Sequence, residues 1–167
     1  MYDNIALIGM SGCGKTVVGQ RTAELFGMQF FDVDVEIERE QNMEISEIFS
    51  QFGESKFREL ESAKINELAM LDNVTIATGG GAVLNPENMA ALKQKSLIVF
   101  LDRSLSDILS TLDISNRPLL TEPEQVYALY DERIELYRKY ADLIVENDDK
   151  IDQAAMSIIK KIAFPRA

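Results

Sequence analysis

Short apolar runs alternate along this chain with longer stretches in which apolar residues recur every three to four positions. Ile5-Ala6-Leu7-Ile8 is a continuous apolar run stopped by Gly9, the pattern of a strand buried on both faces. Thr16 to Phe26 has a helical period and stops at Gly27. Gln29-Phe30-Phe31 reads as a second strand ending at Asp32. From Val35 to about Leu71 the period is helical again, with breaks near Asn42 and Gly53. Val74-Thr75-Ile76-Ala77 reads as a third strand that runs into Gly79-Gly80-Gly81. A helix follows from Asn85 to Gln94, with Pro86 suited to its first turn. Ser96 to Leu101 is a fourth strand and Ser104 to about Thr111 a helix. Leu112 to Glu124 loses its period, carries Pro118 and Pro123, and reads as a loop. A helix from Glu124 to Tyr140, a strand at Leu143-Ile144-Val145 and a helix from Ile151 to Ile162 complete the chain.

Strands that alternate with helices imply βαβ units: a parallel sheet with helices on both faces, a three-layer α/β/α fold. The 167 residues suit one domain, 1–167, with no linker or repeat. In open α/β sheets ligands bind at the carboxyl ends of the strands. Those ends carry Gly9 to Gly14, Asp32 with Asp34, Gly79 to Gly81, Asp102-Arg103 and Glu146 to Asp148. Glycines and carboxylates crowd the place where a site should form.

Charge and composition narrow the chemistry. The net charge is −11, so the surface repels nucleic-acid backbones and anionic lipid, and neither is expected as a partner. Any anionic ligand needs a local basic pocket. The chain has no histidine and one cysteine, Cys13, which excludes intrachain disulfides, Cys clusters and histidine general bases. The N-terminus lacks the basic region of a signal peptide, and no apolar run is long enough to span a bilayer. A cytoplasmic location is expected.

Gly9-Met10-Ser11-Gly12-Cys13-Gly14-Lys15-Thr16 matches G-x-x-x-x-G-K-[ST] between a strand and a helix. Such a loop turns backbone N–H groups toward phosphate oxygens, and the helix N-terminus adds positive potential. Lys15 can reach the β- and γ-phosphates of ATP, and the Thr16 hydroxyl can hold Mg²⁺. Cys13 reads as a small residue whose backbone matters, not as a nucleophile. Asp32 and Asp34 lie two apart beyond the second strand and can share one face. One could support Mg²⁺ and the other accept a proton from an attacking hydroxyl. Equally, Asp34 could only cap the helix that begins at Val35.

Arg58 and Glu61 share a helix face at i,i+3, either as an oriented carboxylate-binding arginine or as a surface ion pair. Three successive glycines, Gly79, Gly80 and Gly81, let something approach the backbone closely. Arg117, stiffened by Pro118, could swing over ATP from the aperiodic segment or lie in solvent. Arg133 with Tyr137 offers a second cation, or pairs with Glu132 and Glu135 on the helix surface.

Taken in order, these segments resemble the shikimate kinase family over nearly the whole chain. The resemblance rests on Gly9 to Thr16, Phe31-Asp32-Val33-Asp34 with Glu36-Ile37-Glu38, Phe57-Arg58-Glu59 with Glu61, Gly79 to Val83, Arg117-Pro118-Leu119-Leu120, and Glu132-Arg133 with Leu136-Tyr137. It implies a nucleoside-monophosphate-kinase-like fold with strand order 2-3-1-4-5, and transfer of the ATP γ-phosphoryl to the shikimate 3-hydroxyl in aromatic amino-acid biosynthesis. It implies that Gly9, Ser11, Gly12, Cys13, Gly14, Lys15 and Thr16 cradle the phosphates and that Thr16 and Asp32 serve Mg²⁺. By the same resemblance Asp34 is expected to bind the reacting hydroxyl as candidate base. The resemblance further implies that Arg58 and Arg133 grip the substrate carboxylate, that Gly79 to Gly81 line the ligand, and that Arg117 closes from a lid at about 112–124. A substrate-binding helical region at about 34–60 follows, with Ile45, Phe49, Phe57, Glu61 and Pro118 as pocket wall. A monomer is expected. Two positions depart from the family pattern: Glu135 stands where many members have proline, and Ser110 where many carry an arginine that packs on adenine.

Overall fold

The computed structural model describes residues 2–112, 122–148 and 150–163. Five strands, β1 (Asn4–Ile8), β2 (Gln29–Asp32), β3 (Val74–Ala77), β4 (Ser96–Asp102) and β5 (Leu143–Glu146), form one parallel sheet in the order β2-β3-β1-β4-β5. All four neighbour pairs are parallel; Leu7, for example, aligns with Ala77 on one side and Val99 on the other. This is the three-layer α/β architecture and strand order expected above. β1, β3 and all but the last residue of β4 are buried, which explains their largely apolar sequences.

The helices are α1 (Lys15–Phe26), α2 (Val33–Gln41), α3 (Ile45–Ala69), α4 (Pro86–Lys93), α5 (Leu105–Thr111), α6 (Pro123–Tyr140) and α7 (Ile151–Ala163). A short 3₁₀ turn, Ala82–Leu84, not anticipated from the pattern, follows the glycine run. The break at Asn42 is a left-handed residue that closes α2, with φ 51°. The break at Gly53 is a kink inside α3, at φ 80° and ψ 170°. Asn85 caps α4 by accepting from the Glu87 N–H, and Pro86 begins that helix.

Of the aperiodic segment at 112–124, residues 113–121 lie outside the described residues, and with them Arg117 and Pro118. None of the described helices is long and apolar enough to cross a membrane.

The candidate active site

The site is assembled at the carboxyl ends of β1, β2 and β3. β1 leads into the Gly9-to-Thr16 loop, and α1 begins inside the motif at Lys15. Gly14 caps α1 with φ 96°, a conformation that a side chain would strain. The Lys15 ammonium is buried and donates to the carbonyls of Gly9 (2.8 Å) and Met10 (2.9 Å), so the loop wraps around its own cation. Cys13 is buried, with Sγ 3.8 Å from Lys15 Nζ. The Thr16 hydroxyl is exposed and donates to Asp32 Oδ2 at 2.6 Å.

The structure decides which aspartate caps α2. The Asp32 backbone is extended, at φ −105° and ψ 120°, and its Oδ1 accepts from the N–H groups of Asp34 (3.1 Å) and Val35 (3.5 Å). Asp32 is therefore the cap, and Asp34 lies in the first turn of the helix instead of capping it. One carboxylate of Asp32 thus serves helix and threonine together. The Asp34 carboxylate turns toward the glycine run: a Cβ added at Gly79 would lie 3.1 Å from Asp34 Oδ1 and 2.6 Å from Glu61 Oε1.

That run is where the two arginines converge. A Cβ at Gly81 would lie 2.5 Å from Arg58 Nη1, and one at Gly80 would lie 2.9 Å from Ser11 Oγ and 3.6 Å from Arg133 Nη1. The three missing side chains admit Asp34, Glu61, Ser11, Arg133 and Arg58 to one place beside the phosphate loop. Arg58 Nη1 donates to Glu61 Oε2 at 2.7 Å, and Glu61 is 1% exposed, so this is no surface pair. Burial raises the Glu61 pKa above its ordinary value, and the Arg58 charge opposes that shift. Burial alone would lower the Arg58 pKa, but Glu61 and Glu54 hold it above its ordinary value. Glu54, missed in the sequence, accepts from Arg58 Nε and Nη2 at 3.4 and 3.3 Å; its i,i+4 spacing was the available signal.

Arg133 is 4% exposed, and its Nε is buried without a hydrogen-bond partner. Glu135 points elsewhere and pairs with Arg138 at 2.9 Å, so the added carboxylate does not occupy Arg133. Tyr137, buried and stacked on Phe100, donates its hydroxyl to the Gly80 carbonyl at 2.6 Å and fixes the middle of the run. Its phenol titrates far above its ordinary range, chiefly through burial. Phe49 and Phe57 pack with ring centroids 4.9 Å apart, and Ile45 is partly buried on the same core. Ser110 is exposed and, among the described residues, its hydroxyl bonds within its own helix, to the Asp107 carbonyl.

The shikimate kinase family model matches residues 11–163. The chain belongs to the shikimate kinase family. A shikimate kinase of Clostridium botulinum (strain Alaska E43 / Type E3) is 42% identical over 163 residues, covering 97% of this chain and 98% of that one. Among solved structures, shikimate kinase from Acinetobacter baumannii in complex with shikimate is 37% identical with a TM-score of 0.93, over 98% of this chain and 94% of that one. Shikimate kinase from Aquifex aeolicus is 32% identical with a TM-score of 0.86, over 98% and 99%. Family membership brings ATP as the phosphoryl donor.

Two residues that touch the phosphate loop were placed by the sequence at strand ends but given no role there. Arg103, just past β4, donates from Nη1 to the Gly12 carbonyl at 3.1 Å and to Thr111 Oγ1 at 3.1 Å. Asn147, just past β5, donates from Nδ2 to the Cys13 carbonyl at 2.8 Å. They are 91 and 134 residues from their partners. No periodicity or local motif could have paired them.

Proposed function

We propose that the chain transfers the γ-phosphoryl of ATP to the 3-hydroxyl of shikimate, giving shikimate 3-phosphate and ADP in aromatic amino-acid biosynthesis. The activity is that of its family. The observation that carries the finer reading is the convergence of Arg58, Arg133 and Asp34 on the Gly79-to-Gly81 run, beside the phosphate loop. Two guanidinium groups and a carboxylate around bare backbone suit a compact acceptor that bears a carboxylate and hydroxyls.

In this reading Lys15 and the loop from Gly9 to Thr16 hold the transferring phosphates, and Ser11, which abuts Gly80, lies on the acceptor side. Thr16 and Asp32 offer a hydroxyl and a carboxylate at the edge of the cradle, hard oxygen donors of the kind Mg²⁺ takes alongside phosphate and water. Bound there, Mg²⁺ would neutralise charge on the β- and γ-phosphates. Asp34 orients the reacting hydroxyl and accepts its proton. Arg58 and Arg133 hold the carboxylate, and Ile45, Phe49, Phe57 and Glu61 wall the pocket, with residues 34–60 as the substrate-binding region. Arg117 and Pro118, outside the described residues, supply a lid at 112–124. A single chain furnishes every group invoked, so a monomer suffices, and a cytoplasmic location fits the ATP supply.

The test is ADP release by purified protein with Mg²⁺, ATP and shikimate. Controls omit shikimate or offer gluconate or nucleoside monophosphates. Turnover that depends on shikimate supports the reading. Turnover only with another acceptor overturns the substrate and keeps the phosphate cradle.

A further inference from the structure

The phosphate loop is held from behind by two side chains that belong to neither the motif nor the acceptor pocket. Gly12 and Cys13 are consecutive, and each carbonyl accepts a hydrogen bond from a buried side chain. Arg103 Nη1 reaches Gly12 O at 3.1 Å, and Asn147 Nδ2 reaches Cys13 O at 2.8 Å. Arg103 is 9% exposed and Asn147 5%. The two supports are joined: the Asn147 N–H donates to the Asp102 carbonyl at 2.8 Å, which ties the end of β5 to the residue before Arg103. Arg103 also bonds Thr111 at the last turn of α5, and a Cβ at Gly12 would lie 2.7 Å from the Leu112 side chain. A Cβ at Gly14 would lie 2.5 Å from Asn147 Nδ2. The glycines of the loop therefore admit the buttress as well as the ligand.

A trans peptide is planar, with its C=O and N–H pointing in opposite directions. Pinning the Gly12 carbonyl fixes the Cys13 N–H, and pinning the Cys13 carbonyl fixes the Gly14 N–H. The Cys13 N–H donates to the Met10 carbonyl at 3.2 Å and closes a turn within the loop, so the Gly14 N–H is the donor that the pinning aims at a phosphate, and its aim sets affinity. Asn147 bears a cost in this position: its Oδ1 is buried without a partner. A buried acceptor left unsatisfied destabilises the fold.

We propose that Arg103 and Asn147 are positioning residues for nucleotide binding. They grip the outward carbonyls of two successive loop peptides: Arg103 steadies the turn in which the Cys13 N–H meets the Met10 carbonyl, and Asn147 aims the Gly14 N–H at the β-phosphate of ATP or ADP. They act through the backbone and do not touch the acceptor. This assignment rests on ATP use and stands whether or not shikimate is the acceptor.

The experiment is titration of full-length protein with ADP and Mg²⁺, with thermal melting in the absence and presence of ADP. The variants are Arg103→Met, Arg103→Lys, Asn147→Leu and Asn147→Asp. Each lost hydrogen bond should weaken ADP binding by roughly 5- to 10-fold. Asn147→Asp, which sets a carboxylate against a carbonyl, should weaken it at least as much as Asn147→Leu. Arg103→Lys should recover part of the loss. The ATP KM should rise in parallel, while the acceptor KM stays at its wild-type value. A general loosening of the fold would instead lower the melting temperature without ADP and raise both KM values together. Where Arg103→Met does not fold, Arg103→Lys and Asn147→Asp carry the test. ADP affinity at the wild-type value in folded variants at both positions overturns the proposal. So does an equal rise in both KM values.

Discussion

Adding one methyl group at Gly81 tests whether the glycine run exists to admit Arg58. The Gly81 backbone, at φ −93° and ψ 0°, is open to alanine, so the perturbation is steric and not conformational. The new Cβ would lie 2.5 Å from Arg58 Nη1 and 2.6 Å from Cζ. Ordinary contact requires the guanidinium to retreat by about 1 Å. Nη1 now sits 2.7 Å from Glu61 Oε2, and such a retreat takes it out of hydrogen-bond range. A hydrogen bond to a charged group contributes about 1.5–3 kcal/mol. At about 1.4 kcal/mol per factor of ten, the shikimate KM should rise roughly 10- to 100-fold in Gly81→Ala. The ATP KM should stay near its wild-type value, because the phosphate loop is untouched. The assay is steady-state ADP release at varied shikimate and saturating ATP, then the reverse. Gly27→Ala is the control: its φ of 66° makes alanine strained, but nothing lies within 4 Å. It should cost about 1–2 kcal/mol of stability and leave the shikimate KM alone. An unchanged shikimate KM in folded Gly81→Ala would refute the reasoning.

Three further outcomes are expected. Asp34→Asn should lower kcat by roughly 10²- to 10⁴-fold if Asp34 takes the proton, with both KM values little changed; near-normal turnover would remove that role. Glu54→Gln should raise the shikimate KM by less than about fivefold, because Glu54 is half-exposed and its contacts with Arg58 are long. Glu61→Gln should raise it more, and the reverse order would show that Glu54, not Glu61, holds the arginine. Glu61 also predicts a pH dependence. Its pKa is raised in the folded state, so its contribution to stability is full below its ordinary value of 4.5 and is lost as pH rises through the raised value. The melting temperature of wild type relative to Glu61→Gln should therefore fall from pH 4 toward neutrality, and a difference constant with pH would contradict the shift.

The sheet and its layers were legible in the sequence because their determinants are local and repetitive. β1, β3 and β4 are mostly apolar, helix ends carry Gly27, Asn42, Asn85 and Pro86, and Gly9-to-Thr16 places cradle and cation within eight consecutive residues. Arg58 with Glu61 was legible as a pair, since i,i+3 spacing puts them on one helix face, but not as a buried one. Burial depends on what packs over the helix, and here that is Gly81, 20 residues beyond Glu61.

Asp32 rather than Asp34 became the cap because an extended backbone at Asp32 points its carboxylate at the following N–H groups, and residue spacing does not encode that angle. The same is true of Glu135, whose pairing with Arg138 instead of Arg133 is a matter of which way each side chain leaves the α6 surface. The supports behind the phosphate loop were wholly tertiary. Arg103 and Asn147 reach it only because β4 ends beside β1 and β5 beside β4, a consequence of strand order. Sequence alone determined which groups could do the chemistry. Only the folded chain decided which of them meet, because contacts between distant residues are set by topology and burial, not by local pattern.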